Sequence, residues 1–178
     1  MTVQIALLRG INLGANRRVA MGDLRELLAR HGYEDVRTHL QSGNVILSSD
    51  AAPTQLEREL ERRIAEGLGV QTPVLVRTRD ELAAVVERNP LAAVADDPKR
   101  YQVSFLSAEP AREVVRELEA ADVEPERIAI SGREVYVWHA GGIQRSPAAR
   151  LVTDARLGVT ATARNWNTVT KLLELAGG

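Results

Sequence analysis

The first residues of this chain that could do chemistry lie in the segment RGINLGANRR, at positions 9–18. Arg9 and Arg17 supply guanidinium groups, and Asn12 supplies a neutral amide. The segment connects a predicted strand to a predicted helix, and the free N–H groups at a helix N-terminus attract anions. It matches neither the P-loop nor the GxGxxG dinucleotide fingerprint. We therefore predict an anion site, with the alternative that the glycines only form turns and the arginines are solvated.

A second polar segment, Gln41-Ser42-Gly43-Asn44, lies between two predicted strands, shortly after Arg37. A hairpin turn favours these residue types for its own geometry, because glycine supplies the positive φ that the turn needs. The amides can also hydrogen-bond a ligand, although they cannot act as acid or base. We predict that these residues join the ligand site, and turn formation alone is an equal alternative.

Groups that could carry out a reaction are few. His39 and Ser42 are close in sequence, but no GxSxG motif surrounds the serine. His31 and His139 are too scattered for metal-ligand spacing, and the chain contains no cysteine to supply a thiolate. We expect neither a metal nor a cofactor. Whether the protein is an enzyme stays open: arginines could stabilise negative charge while substrate or water supplies the proton chemistry.

A third polar run, Arg164-Asn165-Trp166-Asn167, opens the last predicted helix. Asn165 or Asn167 can serve as its N-cap, and the tryptophan can anchor the helix. The alternative is that Arg164, Asn165 and Asn167 contribute to the N-terminal ligand site.

Composition restricts the class of protein. The 178 residues are 44% hydrophobic and 26% charged, which is typical of a soluble globular protein. The net charge of −1 argues against nucleic-acid binding, although Tyr136 and Trp138 share a strand face as stacking aromatics do in RNA-binding sheets. Without cysteine, a secretory signal or an 18-residue apolar segment, the protein is expected in the cytoplasm, with no membrane association.

The elements that must position these residues repeat along the chain. Hydrophobic periodicity predicts strand, helix, two hairpin strands, helix and strand, followed by one more helix, and the same order begins again at position 101. The prediction is α+β: two ferredoxin-like βαββαβ halves related by duplication, each an antiparallel sheet with helices on one face. The expected domains are an N-terminal half with the polar motifs at 1–88, a linker at 89–100, and a C-terminal half with a closing helix at 101–178.

Three extended motifs resemble a bacterial family of uncharacterised proteins, domain of unknown function 1697. They are ALLRGINLGANRRVAMGDLRELL, VRTHLQSGNVILSS and TARNWNTVTKLLEL, in that order and nearly end to end. The resemblance implies a two-part α+β fold built on a duplication, and it implies no activity. Family members often carry tyrosine at the position of His39. The motif positions carried over to this chain are Arg9, Asn12, Arg37, Gln41, Ser42, Asn44, Arg164, Asn165 and Asn167.

Our leading hypothesis is a protein that binds a small anionic or polar ligand through the loops of its N-terminal half. The alternative is a protein-interaction or dimerisation module, and nucleic-acid binding ranks third.

Overall fold

The computed structural model describes residues 1–177. The chain divides into two compact units. Unit 1 comprises residues 1–83 together with the last residues from Lys171 onward, and unit 2 comprises residues 84–170. This division is based on contacts within the fold, and the domain limits expected from the sequence remain a prediction.

Unit 1 contains the first four strands, two complete helices and the start of a third. Their bounds are β1 (Thr2–Leu8), α1 (Met21–Arg30), β2 (Glu34–His39), β3 (Asn44–Ser49), α2 (Pro53–Leu68), β4 (Val74–Thr78) and α3 (Arg79–Arg88). The strands form one antiparallel sheet in the order β2-β3-β1-β4. This is the predicted βαββαβ arrangement, in which the first and third strands lie at the centre.

Unit 2 has the same order of elements as unit 1. Its first helix is slightly shorter than α1, and two small helices stand where unit 1 has the long helix α2. Its elements are β5 (Tyr101–Leu106), α4 (Arg112–Ala120), β6 (Arg127–Ser131), β7 (Glu134–Trp138), α5 (Pro147–Leu151), α6 (Asp154–Leu157), β8 (Ala161–Asn165) and the start of α7 (Trp166–Gly177). The strand order is β6-β7-β5-β8, again antiparallel. Within residues 1–177, no helix is both long and apolar enough to cross a bilayer.

The strand registers support the predicted duplication. Ile5 of β1 lies opposite Arg77 of β4, and Val103 of β5 lies opposite Arg164 of β8. Likewise, Leu8 N–H donates to the Gly43 carbonyl, and Leu106 N–H donates to the Arg133 carbonyl. Arg77 and Arg164, both buried, therefore occupy equivalent positions in the two sheets.

The core of unit 1 forms between its two complete helices and one face of the sheet. The helices bury leucines at helical spacing, and the strands bury alternate residues on the facing side. The central members are Leu24, Leu28, Leu56, Leu60, Ile64, Ala6, Val45, Leu47 and Val76. The packed helices hold the loops at the ends of β1 and β2 in place.

Side chains cap three helices, and α2 has no side-chain cap. Thr78 and Glu81 form a reciprocal capping box at the start of α3, with backbone N to side-chain oxygen distances of 2.8 and 3.1 Å. Thr54 and Glu57 have the spacing of a capping box, but α2 begins at Pro53 and no side chain caps it. Glu57 instead accepts the Val76 N–H of β4 at 2.9 Å. Asn165 caps α7 as predicted, and Ser146 caps α5.

Candidate functional site

The loop from β1 to α1 is closed at its base by Asn12. Its backbone N–H donates to the Arg17 carbonyl at 3.0 Å. Its side-chain amide bonds both backbone groups of Val19, donating to the carbonyl and accepting from the N–H, each at 2.9 Å. The same amide donates to the Gln41 carbonyl at 2.6 Å. One side chain thus closes its own loop and joins that loop to the hairpin turn between β2 and β3.

The hairpin turn is held by Asn44, which is fully buried. Its amide donates to the His39 carbonyl at 2.7 Å and to the Ser42 hydroxyl at 3.0 Å. Gly43 has φ +86°, and a Cβ there would lie 2.7 Å from Leu8 Cβ and from Ile11 Cδ1. Only glycine fits this position, because both the backbone angle and the close approach exclude a side chain.

These contacts bring four of the predicted site residues together. Asn12, Gln41, Ser42 and Asn44 lie in two loops that touch at one end of the sheet. Arg9 lies at the same end of the sheet. Its backbone N–H donates to the Pro73 carbonyl, and its backbone carbonyl accepts the Thr72 hydroxyl at 2.6 Å. The Asn12 and Asn44 amides bond mainly to the backbone here, which is the turn-forming role that the sequence left as an alternative.

Arg17 lies at the edge of a cleft of about 410 Å³, which we name the Arg17 cleft. Its lining residues are Arg17, Glu61, Ala65, Gln71, Thr72 and Pro73. Arg17 is exposed and has φ +54°, a left-handed backbone that an arginine rarely adopts. Its Nη1 atom lies 3.6 Å from the position that a Cβ would take at Gly10. The bond between Asn12 N–H and the Arg17 carbonyl fixes this backbone, so the guanidinium is presented at the cleft by a tied loop.

Arg37 lines a different cleft, of about 460 Å³, together with Val3, Asp35 and Ser48 among others. We name it the Arg37 cleft. The two clefts share no lining residue. Arg17 lies near β4 and Arg37 on β2, at opposite edges of the sheet. The structure of unit 1 therefore does not gather all the predicted arginines around one hollow.

The three predicted site residues of the C-terminal run have structural contacts within unit 2. Arg164 is buried and donates from Nη1 to the Thr162 hydroxyl at 2.8 Å and to the Ala163 carbonyl at 2.9 Å. Burial lowers the pKa of Arg164 to about 10. Asn165 Oδ1 accepts the Thr168 N–H at 3.0 Å as the helix cap, and Asn167 is exposed. Their participation in ligand binding remains a prediction.

A family model described as protein of unknown function, DUF1697, matches residues 1–136, which include both polar loops and the whole sheet of unit 1. The chain belongs to this family. The match carries no statement of activity, and among curated proteins none matches the sequence.

The fold of this DUF1697 protein is found in a solved structure, described as that of the conserved bacterial protein SP0830 from Streptococcus pneumoniae. The two sequences are 23% identical, the TM-score is 0.79, and the similarity covers 98% of each chain. At this level of identity, the similarity establishes a common architecture only.

Unit 2 of the DUF1697 chain contains a buried polar network that the sequence analysis missed. Ser146 Oγ donates to Glu126 Oε2 at 2.7 Å, and His139 Nδ1 lies 2.8 Å from Ser146 Oγ. His139 Nε2 lies 3.1 Å from Gln102 Oε1. Burial lowers the pKa of His139, and Glu126 opposes that shift. The residues at 102, 126, 139 and 146 have no common period, so no sequence pattern indicates the network.

Three of the four side chains in this network are closed to solvent. His139, Ser146 and Glu126 are each less than 5% exposed, so a substrate cannot reach the hydroxyl. Tyr136 and Trp138 are also buried, and Tyr136 donates its hydroxyl to the Val85 carbonyl, so neither ring is open for stacking on a base. Across residues 1–177, no group of three or more His, Asp or Glu side chains is arranged to hold a metal ion.

Proposed function

We propose that this DUF1697 protein binds a small anionic ligand in the Arg17 cleft. The observation that carries the proposal is Arg17 itself, a solvent-facing cation whose left-handed backbone is fixed by the Asn12 bond at the margin of a ligand-sized cleft. Strained backbone that the surrounding structure holds in place is often a feature of binding sites. Pockets for small ligands commonly have volumes of about 300–1,000 Å³.

The remaining lining residues limit the kind of ligand. The Gln71 amide can donate to an anion beside Arg17, whereas the Thr72 hydroxyl is engaged by the Arg9 carbonyl. Glu61 adds negative charge, and its Oε1 accepts the Val74 N–H at 2.9 Å. The favoured ligand therefore carries a phosphate or carboxylate that faces Arg17 and a hydroxyl or amine that faces Glu61. The lack of cysteine supports a cytoplasmic setting for this binding.

The test is a thermal-shift screen of nucleotides, sugar phosphates and hydroxycarboxylates. A ligand at about 100 times its Kd stabilises the folded state by about 2.7 kcal/mol, which raises the melting temperature measurably. Arg17→Asn should abolish the shift, because asparagine tolerates the left-handed backbone and removes only the guanidinium.

Arg18→Gln is the matched control. It removes the same charge from the same loop, where Arg18 Nε donates to the Gly14 carbonyl at 3.2 Å outside the cleft. The shift should survive in this variant. A flat screen, or a shift that both variants reduce equally, would count against a specific site.

The second candidate function is self-association. Leu13 and Leu40 are 79% and 55% exposed, on two loops joined by the Asn12–Gln41 bond. Residues 9–20 contain three arginines and no acid, whereas the run at 117–124 contains four acids and no base. A second copy could therefore present acidic groups to the basic loops.

Light scattering over a range of concentrations and salt tests this candidate. We expect a mass that rises with concentration at low salt and falls back at high salt, with the rise lost in the double variant Leu13→Ser, Leu40→Ser. A constant monomer mass would contradict self-association and leave the anion test unaffected.

A further inference from the structure

We propose that the Arg37 cleft of unit 1 is a separate binding site for a small zwitterion, a ligand that carries both an ammonium and a carboxylate group. This site lies outside the cleft assigned above to anions. It is formed by the outer strand β2, its neighbour β3 and the next strand, β1.

A β-bulge creates the first end of the cleft. The pairing of β2 with β3 shifts register between Glu34 and Arg37, and Asp35 within the bulge has φ +54°. Bulges of this kind redirect side chains and are over-represented beside functional sites. Ser48 of β3 donates its hydroxyl to Asp35 Oδ2 at 3.2 Å, which fixes the carboxylate at the cleft. A fixed, exposed carboxylate is a suitable acceptor for a ligand ammonium group.

Strand register places the guanidinium on the same side. Arg37 lies opposite Ile46, and Val3 lies opposite Ser48. Because side chains alternate along a strand, Arg37, Ile46, Ser48 and Val3 share one face of the sheet. The cleft thus has a carboxylate from Asp35, a guanidinium from Arg37 and an apolar group from the half-buried Val3.

The charged groups and the size of the cleft define the ligand class. Asp35 and Arg37 line the same cleft and carry opposite charges, so a ligand that bears both charges can contact both side chains. The volume of about 460 Å³ exceeds that of a single ion and leaves space for a side chain. The chemistry that matches all three features is an α-amino acid with an aliphatic side chain.

The experiment uses the full chain and follows backbone amide signals by NMR during titration with L-leucine. Two singly charged probes of similar shape are titrated in parallel, 4-methylpentanoate without the ammonium group and 3-methylbutylamine without the carboxylate. We expect saturable shifts at Val3, Ile46 and Ser48 with leucine, and binding at least about tenfold weaker for either probe, because each loses one charged hydrogen bond.

Asp35→Asn is the sharpest variant, since asparagine keeps both the left-handed backbone and the capacity to accept from Ser48. It should weaken leucine binding by about tenfold or more, and Arg37→Gln should do the same. Equal binding of the singly charged probes, unchanged binding by Asp35→Asn, or the absence of saturable shifts would each overturn the proposal. Arg17→Asn should leave leucine binding intact, so the failure of one site can be distinguished from the failure of the other.

Discussion

His139 of unit 2 is a buried histidine whose charge state depends on its surroundings. Its Nδ1 atom lies 2.8 Å from Ser146 Oγ and 3.5 Å from Glu126 Oε2, and its Nε2 atom lies 3.1 Å from Gln102 Oε1. Burial lowers the pKa of this imidazole and the Glu126 carboxylate partly compensates. The neutral ring is therefore the form that the folded protein prefers near neutral pH.

This environment predicts an acid-sensitive stability. An unfolded histidine takes up its proton near pH 6.5, whereas folded His139 takes it up at lower pH. The unfolded state binds more protons in that window, so the free energy of unfolding must fall as pH drops below about 6.5. The loss is about 1.4 kcal/mol for each unit by which the pKa is lowered.

Urea unfolding at a series of pH values measures this loss, and His139→Gln should flatten the pH dependence between pH 7 and 5.5. An NMR titration of the ring gives an independent check. Protonation of His139 at or above pH 6.5 in the folded protein would refute the assignment.

At the scale of elements, α2 and β4 are connected by two glutamates as well as by their hydrophobic contact. Glu57 Oε1 accepts the Val76 N–H and Glu61 Oε1 accepts the Val74 N–H, both at 2.9 Å. β4 is an outer strand of its sheet, so these N–H groups have no strand partner on that side. The carboxylates replace the hydrogen bonds that a fifth strand would make.

Removing one of these carboxylates should therefore destabilise the outer strand β4. We expect Glu57→Ala to lower the free energy of unfolding by about 1–3 kcal/mol, because the N–H of the buried residue Val76 loses its acceptor. Glu57→Gln, which retains an acceptor oxygen, should cost less. Hydrogen exchange of the Val76 amide should accelerate in the alanine variant.

Glu66→Ala is the control on the same helix. Glu66 is exposed and pairs with Arg62 at 3.3 Å, a contact worth about 0.5 kcal/mol or less. If the Glu57 and Glu66 variants had equal stability and equal Val76 exchange, the proposed role of Glu57 would be wrong.

Much of the fold follows from the sequence because local patterns determine it. Leucines at helical spacing predicted α1, and Gly43 within a polar turn predicted the β2–β3 hairpin. The bonds from Glu57 and Glu61 to β4 leave no such local pattern, because the glutamates and their partners on β4 are distant in sequence. The bulge at Asp35 and the short helix α6 also leave no periodic signal.

The candidate site was less predictable for the same reason. Sequence identified the loops but not the bonding of their side chains, so the Asn12 amide, open to a ligand in the sequence interpretation, is engaged by Val19 and Gln41. It also could not show that Arg17 and Arg37 line different clefts, since that depends on the order of strands in the sheet.

At the scale of the whole molecule, the last helix belongs to both units. α7 begins in unit 2, and its residues from Lys171 onward belong to unit 1. Leu172 in the later part is only 1% exposed. The C-terminal residues therefore complete a unit whose other members lie in the first half of the chain.

We expect Leu172→Ala to cost about 2–5 kcal/mol, as truncation of a buried leucine usually does. Native-state hydrogen exchange should show its largest loss of protection in β1 to β4, although the substitution lies near the C-terminus. Leu157→Ala, in the core of unit 2, is the control and should mainly affect β5 to β8. Loss of protection confined to residues 84–170 in the Leu172 variant would contradict this division.

The two glutamates of α2 that bond to β4 have a further consequence for crowded solutions. A foreign peptide can extend a sheet only by bonding to unused N–H and C=O groups along its rim, and this is also how fibrils recruit new molecules. On the β4 rim, Val74 and Val76 are already occupied, and on the β2 rim the kink at Asp35 interrupts the regular ladder. The N-terminal sheet is thereby protected at both rims against uncontrolled polymerisation.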